Sequence, residues 1–212
     1  MRAAVVANGE ISDYAYTRRA VGECGFVIAC DGGLRHCREM GIVPDLIVGD
    51  LDSCGEILGE YDGVPVLKFP VEKDFTDLEL ALAHVCEVLQ NARGLIVFGG
   101  FGGRFDHQLA NAHVLLQAVE RGVGAEMRDE RTRVVLVRDV CELRRDDGEI
   151  VSLLPMSEVV DGVVTDGLYY PLAGEQLRIG YARGVSNEIV GEIAEVKVGA
   201  GVLMVVQSRG GR

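Results

Sequence analysis

The sequence predicts an α/β unit followed by an all-β unit: a mostly parallel sheet flanked by helices over residues 1–130, then a β-sandwich over residues 131–212. Three observations carry this division. Up to residue 130, short apolar runs alternate with helical segments, the pattern of a parallel sheet covered on both faces. After that the apolar runs become short and alternating, broken by Gly, Asp or Pro, with no long amphipathic helix. Charge divides at the same place. Residues 1–130 hold 11 Lys and Arg against 21 Asp and Glu, net −10, whereas residues 131–212 hold 10 against 12, net −2.

In chain order, residues 2–7 (RAAVVA) read as a strand and Asn8-Gly9 as the turn that follows. Residues 13–22 suit a short helix, and Phe26–Cys30 is a second buried strand, followed at once by Asp31-Gly32-Gly33. Leu34–Met40 reads as a helix stopped by Gly41, and Leu46–Val48 as a third strand. Val64–Phe69 is a fourth, ended by Pro70. The best helix covers residues 76–90. Thr76 and Glu79 match a capping box, and Leu78, Leu82, Val85 and Leu89 fall on one face. Leu95–Phe98 is a further strand running into GGFGGR, and Asp106–Arg121 a second long helix ended by Gly122. The β-unit strands are read at Arg131–Arg138, Cys141–Arg145, Ile150–Leu154, Glu158–Thr165, Gln176–Ile179 and Ala194–Ser208.

Bulk properties narrow the function classes. With 212 residues, 48% of them apolar, the chain can bury a sizeable core. A net charge of −12 argues against a basic nucleic-acid surface. No apolar run approaches the ~18 residues of a membrane span. The start, MRAAVVANGE, lacks the apolar core and cleavage site of a signal peptide, so a cytoplasmic location is expected. The six cysteines (24, 30, 37, 54, 86 and 141) form no CxxC pair or zinc-like cluster and read as reduced and structural.

Four clusters follow strand ends or open helices, where open α/β sheets bind ligands. Asp31-Gly32-Gly33 places an acid beside residues that let backbone approach a ligand. In PDLIVGDLDS, Asp50 and Asp52 stand two apart, so both carboxylates share a face if extended geometry persists to the strand tip. Paired carboxylates repel unless a cation or proton lies between them, and a hard divalent ion such as Mg²⁺ suits oxygen ligands. A solvated acidic turn is the alternative for the pair taken alone. In Lys73-Asp74-Phe75-Thr76-Asp77, the acid in the first helical turn suits the dipole, and the exposed N–H groups and Lys73 suit a phosphate. In GGFGGRFDH, residues 99–107, four glycines in five residues precede an Arg and an Asp opening a helix. The spacing is neither a Walker A loop nor GxGxxG. Asp106 also reads as an N-cap, and His107 and His113 as polar packing. Together these are the parts of a Mg²⁺-dependent phosphoryl or diphosphoryl transferase.

DGG, PDLIVGDLDS, EKDFTD and GGFGGRFDH, in this order and spacing, resemble the thiamine pyrophosphokinase family; SLLPMSEVVDG, GLYYPL and RGVSNEIVG resemble its β-domain. The resemblance runs from about Val5 to about Val206. It implies diphosphate transfer from ATP to the hydroxyl of thiamine, releasing AMP, in a homodimer with active sites at the subunit interface. By motif, it implies Asp50, Asp52 and Asp77 as Mg²⁺ ligands. Asp31, Gly32, Gly33, Lys73, Asp74, Thr76, Gly102, Gly103 and Arg104 would hold the nucleotide and its phosphates. Asp106, Ser186 and Asn187 would contact thiamine. The catalytic set is then Asp50, Asp52, Asp77, Arg104 and Asp106. The chain has no Trp, which leaves Tyr169, Tyr170 or Tyr181 to stack on thiamine, and Leu51 stands where the family commonly has Phe. Two other readings remain at this stage: diphosphate transfer to another heterocyclic alcohol such as a hydroxymethylpterin, and a non-catalytic Mg-nucleotide sensor on the same scaffold.

Overall fold

Strands buried on both faces need apolar side chains at every position, and the N-terminal half supplies them. The computed structural model describes residues 1–70, 72, 74–89 and 92–210. The chain divides into two units, Met1–Glu130 and Arg131–Arg212.

The first unit runs β1 (Arg2–Val6), α1 (Tyr14–Gly22), β2 (Phe26–Cys30), α2 (Gly33–Met40), β3 (Leu46–Gly49), a 3₁₀ turn (Leu58–Tyr61), β4 (Val66–Lys68), α3 (Asp77–Val88), β5 (Gly94–Phe98), α4 (Phe105–Glu120) and β6 (Gly124–Arg128). Its strands lie in the order β6-β5-β1-β2-β3-β4, all parallel. Val5 sits opposite Ile28 on one side and Val97 on the other. Helix starts follow local chemistry. The Asp13 carboxylate accepts from the Tyr16 N–H at 2.8 Å, and Thr76 and Glu79 form the expected capping box. Gly41, in left-handed conformation, ends α2.

The layers follow from side-chain alternation. Ala4, Val6, Ala29, Ile47, Ile96 and Phe98 share a core cluster with Val21 of α1 and Leu34, Cys37 and Met40 of α2. The intervening Val5, Ile28, Val48 and Val97, also buried, point to the opposite face, and α3 packs over β1, β2 and β3. Each fully buried Ile, Leu or Phe contributes about 1.5–3 kcal/mol. From β1 the chain steps outward through β2, β3 and β4. It then returns through α3 to place β5 on the other side of β1. That reversal opens a crevice beyond the carboxyl ends of β1, β2 and β5.

The second unit contains β7 (Thr132–Val137), β8 (Val140–Arg144), β9 (Ile150–Pro155), β10 (Val159–Asp166), β11 (Ala173–Arg178), β12 (Asn187–Glu188), β13 (Ile193–Lys197) and β14 (Leu203–Ser208). They form two antiparallel sheets, ordered β12-β9-β14-β7 and β11-β10-β13-β8. Leu153 and Val205 from one sheet meet Leu143, Val160 and Val196 from the other in a single core, so the unit is a sandwich.

Three expectations are corrected. The strand expected over Val64–Phe69 is present but shorter: β4 keeps only three residues, all exposed, at the sheet edge. Strand β6 is absent from the sequence reading because Glu126 and Arg128 interrupt its apolar pattern; they pair at 3.5 Å, and Arg128 Nε donates to Tyr16 Oη at 2.8 Å. The run Ala194–Ser208 is two strands, β13 and β14, in different sheets, because the chain turns through Gly199 and Gly201 between them.

Candidate active site

The crevice is a cleft of about 480 Å³ lined by the ends of β1, β2 and β5 and the starts of α3 and α4. Its walls are loops packed backbone to backbone. Ala7 N–H donates to Phe98 O at 2.8 Å, Gly9 N–H to Gly99 O at 2.7 Å and Glu10 N–H to Phe101 O at 2.8 Å. A Cβ on Gly9 would stand 2.3 Å from Gly99 O, and one on Gly33 would stand 2.0 Å from Val6 O. These glycines are required by chain packing. Gly103 differs: its φ is +67° and its Cβ position faces open space, so its backbone is free to meet a ligand. Gly102 packs against Glu10.

Asp31, Asp50 and Asp52 converge, with one carboxylate oxygen from each lying within 4.8 Å of the others. The route differs from the strand alternation expected from sequence. Strand β3 ends at Gly49, and Leu51 adopts φ +69°. The turn is closed by Asp52 N–H donating to Asp50 Oδ1 at 3.1 Å. The buried Leu51 side chain anchors the turn beside Cys54, Ile57 and Tyr61. On α2, the guanidinium of Arg35 donates to Ser53 O. Asp31 is buried, also at positive φ (+43°), and its N–H donates to Val48 O at 2.8 Å. Left-handed backbone costs a residue such as Leu51 roughly 1–2 kcal/mol and an Asp less, and both Leu51 and Asp31 adopt it in this one cluster. The Cys54 thiol lies 3.9 Å from Asp31 Oδ1, and burial, then the Asp31 charge, pushes it up to about 11.

Asp77 is not among these three carboxylates; it lines the cleft from the first residue of α3. The group overlaps the ligand set implied by the resemblance at Asp50 and Asp52. Thr76 caps α3, so its hydroxyl accepts from Glu79 N–H at 3.2 Å, and Asp74 is exposed. Lys73 lies outside the described residues. At the start of α4, Arg104 is the N-cap residue and Asp106 lies within the first turn, so Asp106 is not the cap. The Arg104 fork grips the Asp106 carboxylate, with Nη2–Oδ2 at 2.5 Å and Nε–Oδ1 at 3.1 Å. Hydrogen bonding to Arg104 holds the Asp106 carboxyl below the usual range. His107 and His113 are exposed rather than packed, and His107 lines the cleft.

In the β unit, Ser186 has φ +60° and donates its N–H to Ser152 Oγ at 3.1 Å. The buried Asn187 side chain is engaged by backbone. Its Oδ1 accepts from the N–H groups of Tyr170 and Glu188, each at 2.9 Å, and its Nδ2 donates to Tyr170 O at 2.7 Å. Asn187 thereby holds the loop carrying exposed Tyr169 and Tyr170, whose rings meet edge to face at 4.8 Å.

Sequence reasoning missed Asn8, Glu10, Cys30 and Asn111, all of which line the cleft. Asn8-Gly9 was legible only as a turn, although its place after the first strand was the available signal. Asn111 Nδ2 donates to Gly100 O at 2.9 Å and steadies the glycine loop.

Comparison with known proteins fits this geometry. Residues 17–127 match the family described as thiamin pyrophosphokinase, catalytic domain, and residues 140–203 match thiamin pyrophosphokinase, vitamin B1 binding domain. Thiamine pyrophosphokinase 2 of Arabidopsis thaliana is 26% identical over 184 residues, 77% of this chain; the match spans 65% of that relative's length. The thiamin pyrophosphokinase structure from Geobacillus thermodenitrificans superposes with a TM-score of 0.84 at 28% identity, covering 99% of this chain and 98% of that one. The Bacillus subtilis structure, at 24% identity and TM-score 0.86, covers 99% and 100% and supports the fold. On these matches the chain belongs to the thiamin pyrophosphokinase family.

Proposed function

We propose that the protein transfers a diphosphate group from ATP to the hydroxyl of thiamine, giving thiamine diphosphate and AMP. The observation that carries this reading is the double membership of Asp31. It lines the cleft at the sheet's switch point and belongs to the convergent carboxylate group. A phosphate chain in the cleft would thus lie beside hard oxygen ligands. In this reading residues 1–130 form the catalytic, nucleotide-binding unit and residues 131–212 the thiamine-binding unit.

Three carboxylate oxygens within 4.8 Å of one another suit an octahedral oxygen-bound ion with metal–oxygen distances of about 2.0–2.1 Å. Asp31, Asp50 and Asp52 would hold Mg²⁺, with Asp77 facing the same cleft. The bound cation would supply neutralisation of phosphate charge. The chain's own groups do the rest. The amides around Gly102 and Gly103, the start of α3 with Thr76 and Asp74, Asp31-Gly32-Gly33, and Lys73 orient the triphosphate. Arg104, whose Nε and Nη2 hold Asp106, offers its Nη1 N–H groups to phosphate oxygens, while Asp106 faces the cationic thiazolium. The thiamine oxygen attacks the β-phosphorus, the bond from that phosphorus to the α–β bridging oxygen breaks, and AMP leaves with the bridging oxygen. The hydroxyl proton passes to water. Asp106, held acidic by Arg104, is a weak acceptor for it, and a loose transition state needs little base assistance. On the β unit, Ser186 contacts thiamine from a backbone held by Ser152. Asn187 acts by holding the Tyr169–Tyr170 loop, whose exposed rings suit the aromatic cation.

The same reading includes a homodimer with its sites at the subunit interface and a cytoplasmic location. Exposed Tyr169, Tyr170, Ile179, Tyr181 and Val190 on the β unit support an interface there. Light scattering of the purified protein tests the dimer. A panel of alcohol acceptors tests the substrate. With ATP and Mg²⁺, thiamine should turn over and a hydroxymethylpterin should not. Preference for the pterin would reassign the acceptor, and nucleotide binding without turnover on any acceptor would indicate a sensor.

A further inference from the structure

The β1–α1 loop forms one wall of the cleft through Asn8, Gly9 and Glu10. Its amides are spent on the glycine loop opposite, Gly9 N–H on Gly99 O and Glu10 N–H on Phe101 O. The Gly9 carbonyl is held by a different group, Nε2 of His36 at 2.7 Å. The other ring nitrogen, Nδ1, lies 2.8 Å from Tyr14 Oη. A carbonyl oxygen only accepts, so Nε2 carries the proton, and in the neutral ring Nδ1 accepts from the Tyr14 hydroxyl. The two contacts therefore select one tautomer. His36 belongs to α2 and Tyr14 to the first turn of α1, their rings 5.7 Å apart. The loop is gripped from both sides, by the glycine loop through its amides and by α1 and α2 through its carbonyl.

We propose that His36 is a positioning residue for nucleotide binding: the Tyr14–His36–Gly9 chain sets the β1–α1 loop against Gly99–Phe101 and so fixes one wall of the cleft. This rests on the reading of the cleft as a nucleotide site. It also gives a role to a histidine that neither touches the acidic group nor lines the cleft. The geometry says which replacement should work. A glutamine in place of His36 can put an amide N–H near the position of Nε2, whereas an alanine leaves the Gly9 carbonyl without its donor.

The test compares the wild type with His36→Ala and His36→Gln by calorimetric ATP binding in Mg²⁺ buffer. Long-range ¹H–¹⁵N correlation of the wild-type ring, at a pH where it is neutral, reports the tautomer. The expected results are the Nε2–H tautomer, ATP affinity about tenfold weaker in His36→Ala, and affinity within about threefold of wild type in His36→Gln. An Nδ1–H ring, wild-type affinity in His36→Ala, or equal losses in both variants would overturn the proposal. If wild-type protein bound no ATP, the nucleotide reading would fail by itself. Amide exchange at Gly9 and Glu10 would then decide the loop contact: faster in His36→Ala than in His36→Gln if it holds, equal if it does not.

Discussion

Replacing Asp31 by Asn separates the chemistry of the acidic group from the backbone that holds it. Asp31 is buried, has φ +43° and presents its carboxylate to Asp50 and Asp52. Asn is nearly isosteric and tolerates left-handed backbone, so the fold should accept it. At 4.8 Å, the outer limit of their separation, two unit charges repel by about 0.9 kcal/mol in water and about 3.5 kcal/mol at an effective dielectric of 20. Asp52 is exposed, so the lower end applies. Without Mg²⁺ the Asn variant should therefore unfold at the same temperature as wild type or slightly higher. With Mg²⁺ at about 100 times its dissociation constant, the wild type should gain about 2.7 kcal/mol, several degrees in Tm. The variant should gain far less, and its turnover should fall by about a hundredfold or more. Asp31→Ala should lose the same activity and also about 1 kcal/mol of stability, because Ala at φ +43° is strained. Calorimetric melts with and without Mg²⁺, alongside turnover, read both effects. An Asn variant with wild-type turnover and an intact Mg²⁺-dependent shift would remove Asp31 from the metal site.

Other perturbations follow from the same geometry. Gly33→Ala would put a Cβ 2.0 Å from the Val6 carbonyl, which β1 cannot yield, so chemical denaturation should show a loss of about 3 kcal/mol or more. Asn187→Ala leaves two backbone N–H groups and one carbonyl without their side-chain partner and should destabilise the β unit by about 2–4 kcal/mol, read as a lowered midpoint in urea. Arg104→Ala should cut kcat/KM by about a hundredfold while leaving the melting temperature unchanged, since the side chain is exposed. The sign of its pH effect is fixed. The folded-state Asp106 carboxyl is lowered by Arg104, so the pair is intact above the ordinary carboxylate range and is lost only as pH falls through the lowered value. Any acid limb between about pH 5 and 7 in the rate profile should therefore persist in Asp106→Asn measured at its residual rate.

The sequence carried the sheet, the helices and the strand ends because buried parallel strands and capping boxes are local patterns. Ala4, Val27, Ile47 and Ile96 are apolar whatever packs on them, and Thr76–Glu79 announces its own helix. What failed was non-local. Strand β6 looks polar until Tyr16, far off in sequence, accepts from Arg128. The acidic group was legible as two residues, but its convergence depends on the positive φ of Leu51 and on Asp31 arriving from a neighbouring strand. The glycines read as holding phosphates are in part packing devices, as at Gly33 and Gly102, and only the folded chain separates these from Gly103. His36 had no sequence signal, because its role is to reach a carbonyl 27 residues away.

The central claim is attack at the β-phosphorus of ATP by the thiamine hydroxyl, in a cleft beside Asp31, Asp50 and Asp52. ATP carrying ¹⁸O in the α–β bridge tests it most directly, with products resolved by mass spectrometry. The predicted result is equimolar AMP and thiamine diphosphate, with the label retained in AMP. ADP as the nucleotide product, or label in thiamine diphosphate, would contradict it.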